Sequence, residues 1–207
     1  MAKRWPTKRD LEVTLSSLEL IPEPLPSLEQ YQTPPEIAAE ILLEAATRGD
    51  VEEKVVADLG CGNGILGLGA ALLGASLAIC LDIDPLAVVT AWRNAWILGV
   101  MDRVRIYVCD ALRFDEHVDT VIMNPPFGIR GGTPDLSFLS RALKCSRVTY
   151  SFHREGNVDF LAGVASRYGA ALTDVWRYPF PIGKFFNFHR KKQVEIWVEV
   201  LRFERLS

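Results

Sequence analysis

The sequence predicts an α/β protein: a seven-stranded, mostly parallel sheet with helices on both faces. Three observations lead there. Short apolar runs alternate with helix-length amphipathic segments from Val55 to Tyr168, the pattern of parallel strands joined by crossover helices. A glycine-rich turn, Gly60-Cys61-Gly62-Asn63-Gly64, lies where one apolar run ends and a helical segment begins. The last two apolar runs, Leu172 to Phe180 and Val194 to Phe203, have no helical segment between them. They must therefore pair as a hairpin, which makes one strand antiparallel.

The elements follow in order. Leu11, Leu15 and Leu18 share one face of an N-terminal helix. Ile21-Pro22-Glu23-Pro24-Leu25-Pro26 is an extended, Pro-rich connector. Residues 1–27 thus form a helix and connector ahead of one α/β domain over 28–207. Thr33, with Glu36 three residues on, reads as a capping box for a helix that carries Ile37, Ile41, Leu42 and Ala45 and stops at Gly49. Strands are expected at Val55–Leu59, Leu77–Leu81, Val104–Cys109, Val118–Met123 and Val148–Phe152. Helices are expected at Ile65–Leu73, from the Asp84 cap to Gly99, at Asp135–Lys144 and at Asn157–Tyr168. In the final strand Val194, Ile196, Val198 and Val200 alternate with Glu195, Trp197 and Glu199, which places the two sets on opposite faces.

Bulk properties exclude several classes. At 207 residues the chain has room for one sizeable core. Half the residues are hydrophobic and a quarter charged, so wholesale disorder is excluded. The net charge is −3, so any nucleic-acid contact must come from a local basic patch. The longest apolar runs are broken by glycine, and no membrane span is expected. Met1 to Arg9 is charged and has no apolar stretch of the secretory type. Cys61, Cys80, Cys109 and Cys145 are well separated, which suits reduced core thiols in a cytoplasmic protein better than a zinc or disulfide framework.

The glycine turn is preceded by an acid, in Asp58-Leu59-Gly60-Cys61-Gly62-Asn63-Gly64. Glycines at such a turn let a ligand approach the backbone. The spacing is not that of dinucleotide folds, and the Asp58 carboxylate would repel a pyrophosphate. It suits a ligand carrying an ammonium or sulfonium group instead. S-adenosylmethionine carries both and no phosphate. Asp82 ends the second strand and can accept from two ribose hydroxyls; Asp110 ends the third and can accept from an adenine amine. The plain alternative is a turn that merely packs a helix on a strand, and for Asp84 it is the helix cap.

Asn124-Pro125-Pro126-Phe127 follows the fourth strand. The prolines stiffen the turn and remove backbone donors. What remains are acceptors, the Asn124 side-chain oxygen and the Pro125 carbonyl, beside the flat face of Phe127. That set fits a planar substrate with an exocyclic amine. Such a nitrogen is a poor nucleophile because its lone pair is delocalised. Two acceptors on its hydrogens draw it toward tetrahedral geometry, so that positioning and electrostatics can carry methyl transfer without a metal. The plain alternative is a rigid turn with Phe127 in the core.

These two motifs together resemble the Rossmann-like (class I) amino-methyltransferases that use S-adenosylmethionine. Leu28-Glu29-Gln30-Tyr31-Gln32-Thr33, Asp82-Ile83-Asp84, Asn124-Pro125-Pro126-Phe127-Gly128, Tyr150-Ser151-Phe152-His153 and Phe188-His189-Arg190-Lys191-Lys192 sharpen the likeness. They are similar to the small archaeal and eukaryotic N6-adenine ribosomal-RNA methyltransferases, from about Leu28 to Phe203. The resemblance implies strand order 3-2-1-4-5-7-6 and methylation of adenine N6 in (small-subunit) ribosomal RNA, with S-adenosylhomocysteine as product. It implies that Gln30 and Thr33 close over the methionine end of the cofactor. Asp58, Gly60 and Gly62 would line it, Asp82 would hold the ribose and Asp110 the adenine, with Ile83 and Ala111 also in the cofactor site. Asn124, Pro125, Pro126 and Phe127 would carry catalysis, with Asn124 also beside the cofactor. It further implies a small zinc-containing activator protein on the edge strand 104–109, whose apolar Arg105-Ile106-Tyr107-Val108 invites strand addition. The first 27 residues and the insert Ile129-Arg130-Gly131-Gly132-Thr133 depart from the relatives; the insert has the character of a lid.

One dense basic and aromatic run remains, Lys184-Phe185-Phe186-Asn187-Phe188-His189-Arg190-Lys191-Lys192, in the C-terminal hairpin connection. Lys184, Arg190, Lys191 and Lys192 suit phosphates, and Phe188 and His189 suit unpaired bases. A solvated loop is the alternative. Two rival functions stay open on sequence. One is the same chemistry on guanine N2, DNA adenine or a glutamine amide. The other is a non-catalytic cofactor-binding scaffold.

Overall fold

A computed structural model describes residues 6–128, 134–182 and 194–206. The insert 129–133 and the basic run 184–192 lie outside the described residues.

Seven strands form one sheet in the order β3-β2-β1-β4-β5-β7-β6. They are β1 (Val55–Leu59), β2 (Leu77–Asp82), β3 (Val104–Val108), β4 (Val118–Met123), β5 (Ser146–Arg154), β6 (Ala170–Ile182) and β7 (Val194–Arg205). The first five run parallel; β7 is antiparallel to both β5 and β6. The six helices among the described residues are α1 (Lys8–Ser16), α2 (Pro35–Thr47), α3 (Ile65–Leu72), α4 (Pro85–Ile97), α5 (Pro134–Cys145) and α6 (Val158–Ser166). None is long and apolar enough to cross a membrane.

Helices cover both faces, so neighbouring residues on a strand enter different cores. On one face Val56, Ile122, Tyr150, Phe152, Val198 and Val200 pack with Leu11, Leu15, Ile41 and Leu42 of α1 and α2. On the other, Ala57, Val121, Met123, Leu201 and Phe203 pack with Leu139 and Leu143 of α5 and Leu161 of α6. The N-terminal helix is therefore built into the main core through Leu11 and Leu15, both almost fully buried.

One expectation is corrected. Thr33 does not cap α2. That helix starts at Pro35 behind Pro34, with no side-chain cap. Pro34 holds the N-cap position, and the Thr33 hydroxyl accepts from Asn124 Nδ2 instead. The capping box sits on α1 instead, where Thr7 Oγ accepts from the Asp10 amide and Asp10 accepts from the Thr7 amide. On β7, Glu199 is buried. It is 1% exposed, held by Arg177 Nε at 2.9 Å and the Gly156 amide at 3.2 Å. A carboxylate buried on a strand needs partners.

Candidate active site

The cavity lies at the carboxyl ends of β1, β2 and β4, where open α/β sheets bind ligands. It measures about 510 Å³. Its floor is the glycine turn. The Gly60 and Cys61 amides both donate to the Leu81 carbonyl, at 2.8 and 2.9 Å, which hangs the turn on β2. Gly60 has φ +77°, and a Cβ there would lie 3.3 Å from the Phe138 ring that forms the opposite wall. Only a residue without a side chain keeps both the left-handed backbone and the open floor.

Asp58, the penultimate residue of β1, is 1% exposed. Oδ2 accepts from the Gly67 amide of α3 at 2.8 Å, while Oδ1 is buried with no hydrogen-bond partner. Burial, reinforced by nearby Asp82, pushes its pKa up to about 7. A buried carboxyl with one idle oxygen on a cavity wall is an acceptor waiting for a donor, and a cation would restore its ionised form.

Asp82 accepts from the Gly62 amide at 2.8 Å and the Asp84 amide at 2.9 Å, and burial raises its pKa. These amides fix its plane and leave lone pairs toward the cavity. Asp84 does cap α4, accepting from the Leu86 amide, and it also accepts from Gln30 Nε2 at 2.8 Å. Gln30 Oε1 in turn takes the Leu25 amide. Gln30 thus lines the cavity while pinning its wall. Ile83 is 55% exposed and Ala111 is buried; both line the cavity, as does Asp110, which caps a short 3₁₀ turn through the Leu112 amide.

At the far wall stands Asn124. Its Nδ2 donates to Thr33 Oγ at 3.0 Å, and its Oδ1 is buried without a partner. Pro126 lines the cavity; Phe127 does not. The Phe127 ring is 8% exposed, stacked near-parallel on Tyr31 and met edge-on by Phe180. His153 is a buried polar residue between Ser151 Oγ and Asp135. No group of metal-ligating side chains occurs among the described residues.

Several site residues were not anticipated. Leu20, Ile21 and Pro24 of the connector line the cavity, and nothing local in their sequence signals it. Asn94 is fully buried on α4. It accepts the Glu19 amide and donates to the carbonyls of Glu19 and Asn63, while Asn63 Nδ2 also donates to the Glu19 carbonyl. One asparagine thereby ties the connector to the glycine turn. Its signal was present: Ala87, Ala91 and Asn94 fall on one apolar stripe, where a polar residue requires a reason.

The model of the ribosomal protein L11 methyltransferase (PrmA) family matches residues 38–125, from α2 to just past Asn124. The crystal structure of PH1948 from Pyrococcus horikoshii superposes with a TM-score of 0.91 at 37% identity, over 99% of this chain and all of that one. The rRNA N(6)-adenosine-methyltransferase METTL5 of Danio rerio is 35% identical over 94% of this chain and 97% of its own length. Its Drosophila melanogaster counterpart is 35% identical over 95% of both. The chain belongs to the METTL5 family. Across METTL5-type chains aligned end to end, the cavity just described falls inside the shared region, connector included.

Proposed function

We propose that this METTL5-family protein transfers a methyl group from S-adenosylmethionine to N6 of an adenine in ribosomal RNA. The observation that carries the reading is Asn124 Oδ1, an idle buried acceptor whose amide is oriented by Thr33 in the cavity that also holds Asp58.

The residues present fit the cofactor. The cavity lies within the size range of small-molecule sites. Asp58 Oδ1 would take the ammonium group, the bare floor at Gly60 and Gly62 the methionine backbone, and Asp82 the ribose hydroxyls. Ile83 and Ala111 would flank the adenine ring and Asp110 its amine. When bound, S-adenosylmethionine supplies an electrophilic methyl carbon on a sulfonium. Asn124 Oδ1 and the Pro125 carbonyl accept the hydrogens of the target amine and aim its lone pair into the cavity. Pro125 and Pro126 hold these acceptors without reorganisation. A target base in a helix must first be extruded. The positive charge that develops on the amine nitrogen is offset by the same two acceptors until its proton leaves to solvent.

Lys184, Arg190, Lys191 and Lys192 would contact RNA phosphates, with Phe188 and His189 on unpaired bases. Replacing Arg190, Lys191 and Lys192 by alanine should weaken RNA binding and flatten its salt dependence. The β3 edge would receive a small zinc-containing activator. Among the described residues β3 pairs only with β2, and it leaves Tyr107 and Val108 about half exposed; Trp92 and Trp96 are also exposed on α4, which packs on it.

The deciding experiment supplies the protein, alone and with a zinc-protein partner, with labelled S-adenosylmethionine and deproteinised small-subunit ribosomal RNA. Label in N6-methyladenosine, abolished by Asn124→Ala with S-adenosylhomocysteine binding kept, is the expected result. Label in another nucleoside or in protein would overturn the adenine assignment.

A further inference from the structure

The two faces of β5 differ. Val148, Tyr150 and Phe152 are buried in the apolar core shared with α1 and α2. Thr149, Ser151 and His153 are buried as well, on the face where their β7 partners Phe203 and Leu201 meet α5. Polar side chains pressed against a helix cost free energy unless each finds a partner, and apolar ones would pack there without that cost. The partners include α5 itself. At the amino end of β5, Ser146 Oγ donates to the Ala142 carbonyl at 2.9 Å and shares a bond with Thr149 Oγ at 2.8 Å. At the carboxyl end, His153 Nε2 meets Ser151 Oγ at 2.7 Å, and His153 Nδ1 meets Asp135, in the first turn of α5, at 3.4 Å. A carboxylate only accepts, so Nδ1 carries the hydrogen. Glu199, beside His153 on β7, is taken by Arg177 and the Gly156 amide. Asp135 is therefore the acid of this imidazole. Apolar packing is non-directional and lets a helix slide; hydrogen bonds at both ends fix where α5 sits on β5.

This tie stands beside the Asn124-Pro125-Pro126-Phe127 turn. Met123 is in register with Ser151, so the turn leaves β4 next to the stretch of β5 that carries His153. The chain enters α5 at Pro134, one residue before Asp135. We propose that His153 is a positioning residue for methyl transfer: through Asp135 it holds the first turn of α5, and so the far end of the segment that begins with Asn124. The proposal rests on the reading that this turn carries the acceptors for the target amine. Thr33 holds one end of the segment, through Asn124, and His153 holds the other, through Asp135. An acceptor is useful only where the amine arrives, and a shift of about 1 Å can cost about 100-fold in rate. The body of α5 has its own anchors, Leu139 and Leu143 in the core, and Phe138 beside them forms a wall of the cofactor cavity. Loss of the tie therefore releases the first turn of α5 and leaves the cofactor wall in place.

The test compares wild type with Asp135→Ala, Asp135→Asn, His153→Asn and His153→Gln on the same ribosomal RNA. Turnover is expressed per S-adenosylhomocysteine-binding site, counted by calorimetry, so that unfolded protein drops out. The Asp135 side chain is 18% exposed, so its replacement spares the core. Asp135→Ala should lose roughly 10- to 100-fold in kcat, with KM for RNA and cofactor affinity within about twofold of wild type. Asp135→Asn still accepts from Nδ1 and should keep most of the rate. His153→Asn sets an amide nitrogen where Nδ1 stands and should also keep most of it. His153→Gln sets its amide where Nε2 stands and should lose as much as Asp135→Ala. The double variant Asp135→Ala/His153→Gln should lose no more than either single one, because the two residues form one link. A purely structural role would lower the melting temperature and leave kcat per binding site unchanged, which would overturn the proposal. So would additive losses in the double variant, or a Gln variant more active than the Asn variant. Wild type that labels a different acceptor overturns the adenine reading alone, since the same comparison then runs on that acceptor. Wild type that labels none overturns both.

Discussion

Thr33 and Asn124, 91 residues apart in sequence, share one hydrogen bond: Asn124 Nδ2 donates to Thr33 Oγ at 3.0 Å. An amide has a donor end and an acceptor end, and occupying the donor end decides which way the acceptor points. Thr33→Val, which keeps the shape and deletes the hydroxyl, should therefore lower kcat by roughly 10- to 100-fold, as expected for a misplaced reacting group. S-adenosylhomocysteine affinity should change little, and Thr33→Ser should restore most of the rate. Single-turnover methylation with calorimetry checks this. A Val variant with normal kcat would show that Asn124 needs no orientation.

Asp58 makes the site sensitive to pH. Its pKa stands near 7 in the folded protein against an ordinary value of 3.8. Between those values the folded chain binds the extra proton, so this group's effect on stability worsens as pH rises through the window. Cofactor binding has the opposite sign, because the ammonium group needs the ionised carboxylate. S-adenosylhomocysteine affinity should fall about tenfold from pH 8 to pH 6, by the fraction of Asp58 protonated. Asp58→Asn should bind weakly at every pH and melt higher than wild type at pH 8. Calorimetry and thermal melting across the range measure both.

Asn94 carries the join between connector and glycine turn. Asn94→Ala leaves the Glu19 amide and the Asn63 carbonyl without that partner. The expected cost is about 2–3 kcal/mol, read by urea denaturation. Cofactor affinity should fall with it, because Leu20 and Ile21 line the same cavity. Proteolysis across residues 18–26 should quicken in the variant.

Gly67 is where α3 touches the sheet. A Cβ there would lie 2.4 Å from Cys80 Sγ and 3.1 Å from Asp58 Cβ. Gly67→Ala should cost about 1–3 kcal/mol by overpacking. Cys80→Ala removes the closer clash, so the double variant should be more stable than the sum of the singles predicts. Additive losses in chemical denaturation would mean that the Asp58 contact dominates.

Strands and helices with strong periodicity were legible because each is a local property. β4 begins and ends where its apolar run does, and α4 starts at the Asp84–Pro85 cap. The strand-end acids were legible for a related reason: Asp58 and Asp82 stand at the ends of parallel strands, and parallel strands all present their carboxyl ends to one rim. Alternation places Glu199 and Trp197 on one face of β7 but says nothing of cover: Trp197 is 54% exposed and Glu199 1%. Thr33 was misplaced because the capping pattern is local, while its hydroxyl is engaged by Asn124, 91 residues away in sequence.

By itself, the sequence determined the α/β class, the motifs that belong to the cavity and the chemistry they suit. These depend on residue type and short spacing, which a chain displays without folding. Tertiary structure alone decided which atoms of those residues are idle and which are engaged. Asp58 Oδ1 and Asn124 Oδ1 are free because Gly67 and Thr33 occupy their companion atoms. Gln30 is engaged by Asp84, and Phe127 is covered by Tyr31. Apart from the β1–α3 contact of Asp58 with Gly67, these pairs are brought together by the packing of the segment before α2 over the sheet. The free energy of that packing is spread over a whole core, so no short stretch of sequence reports it.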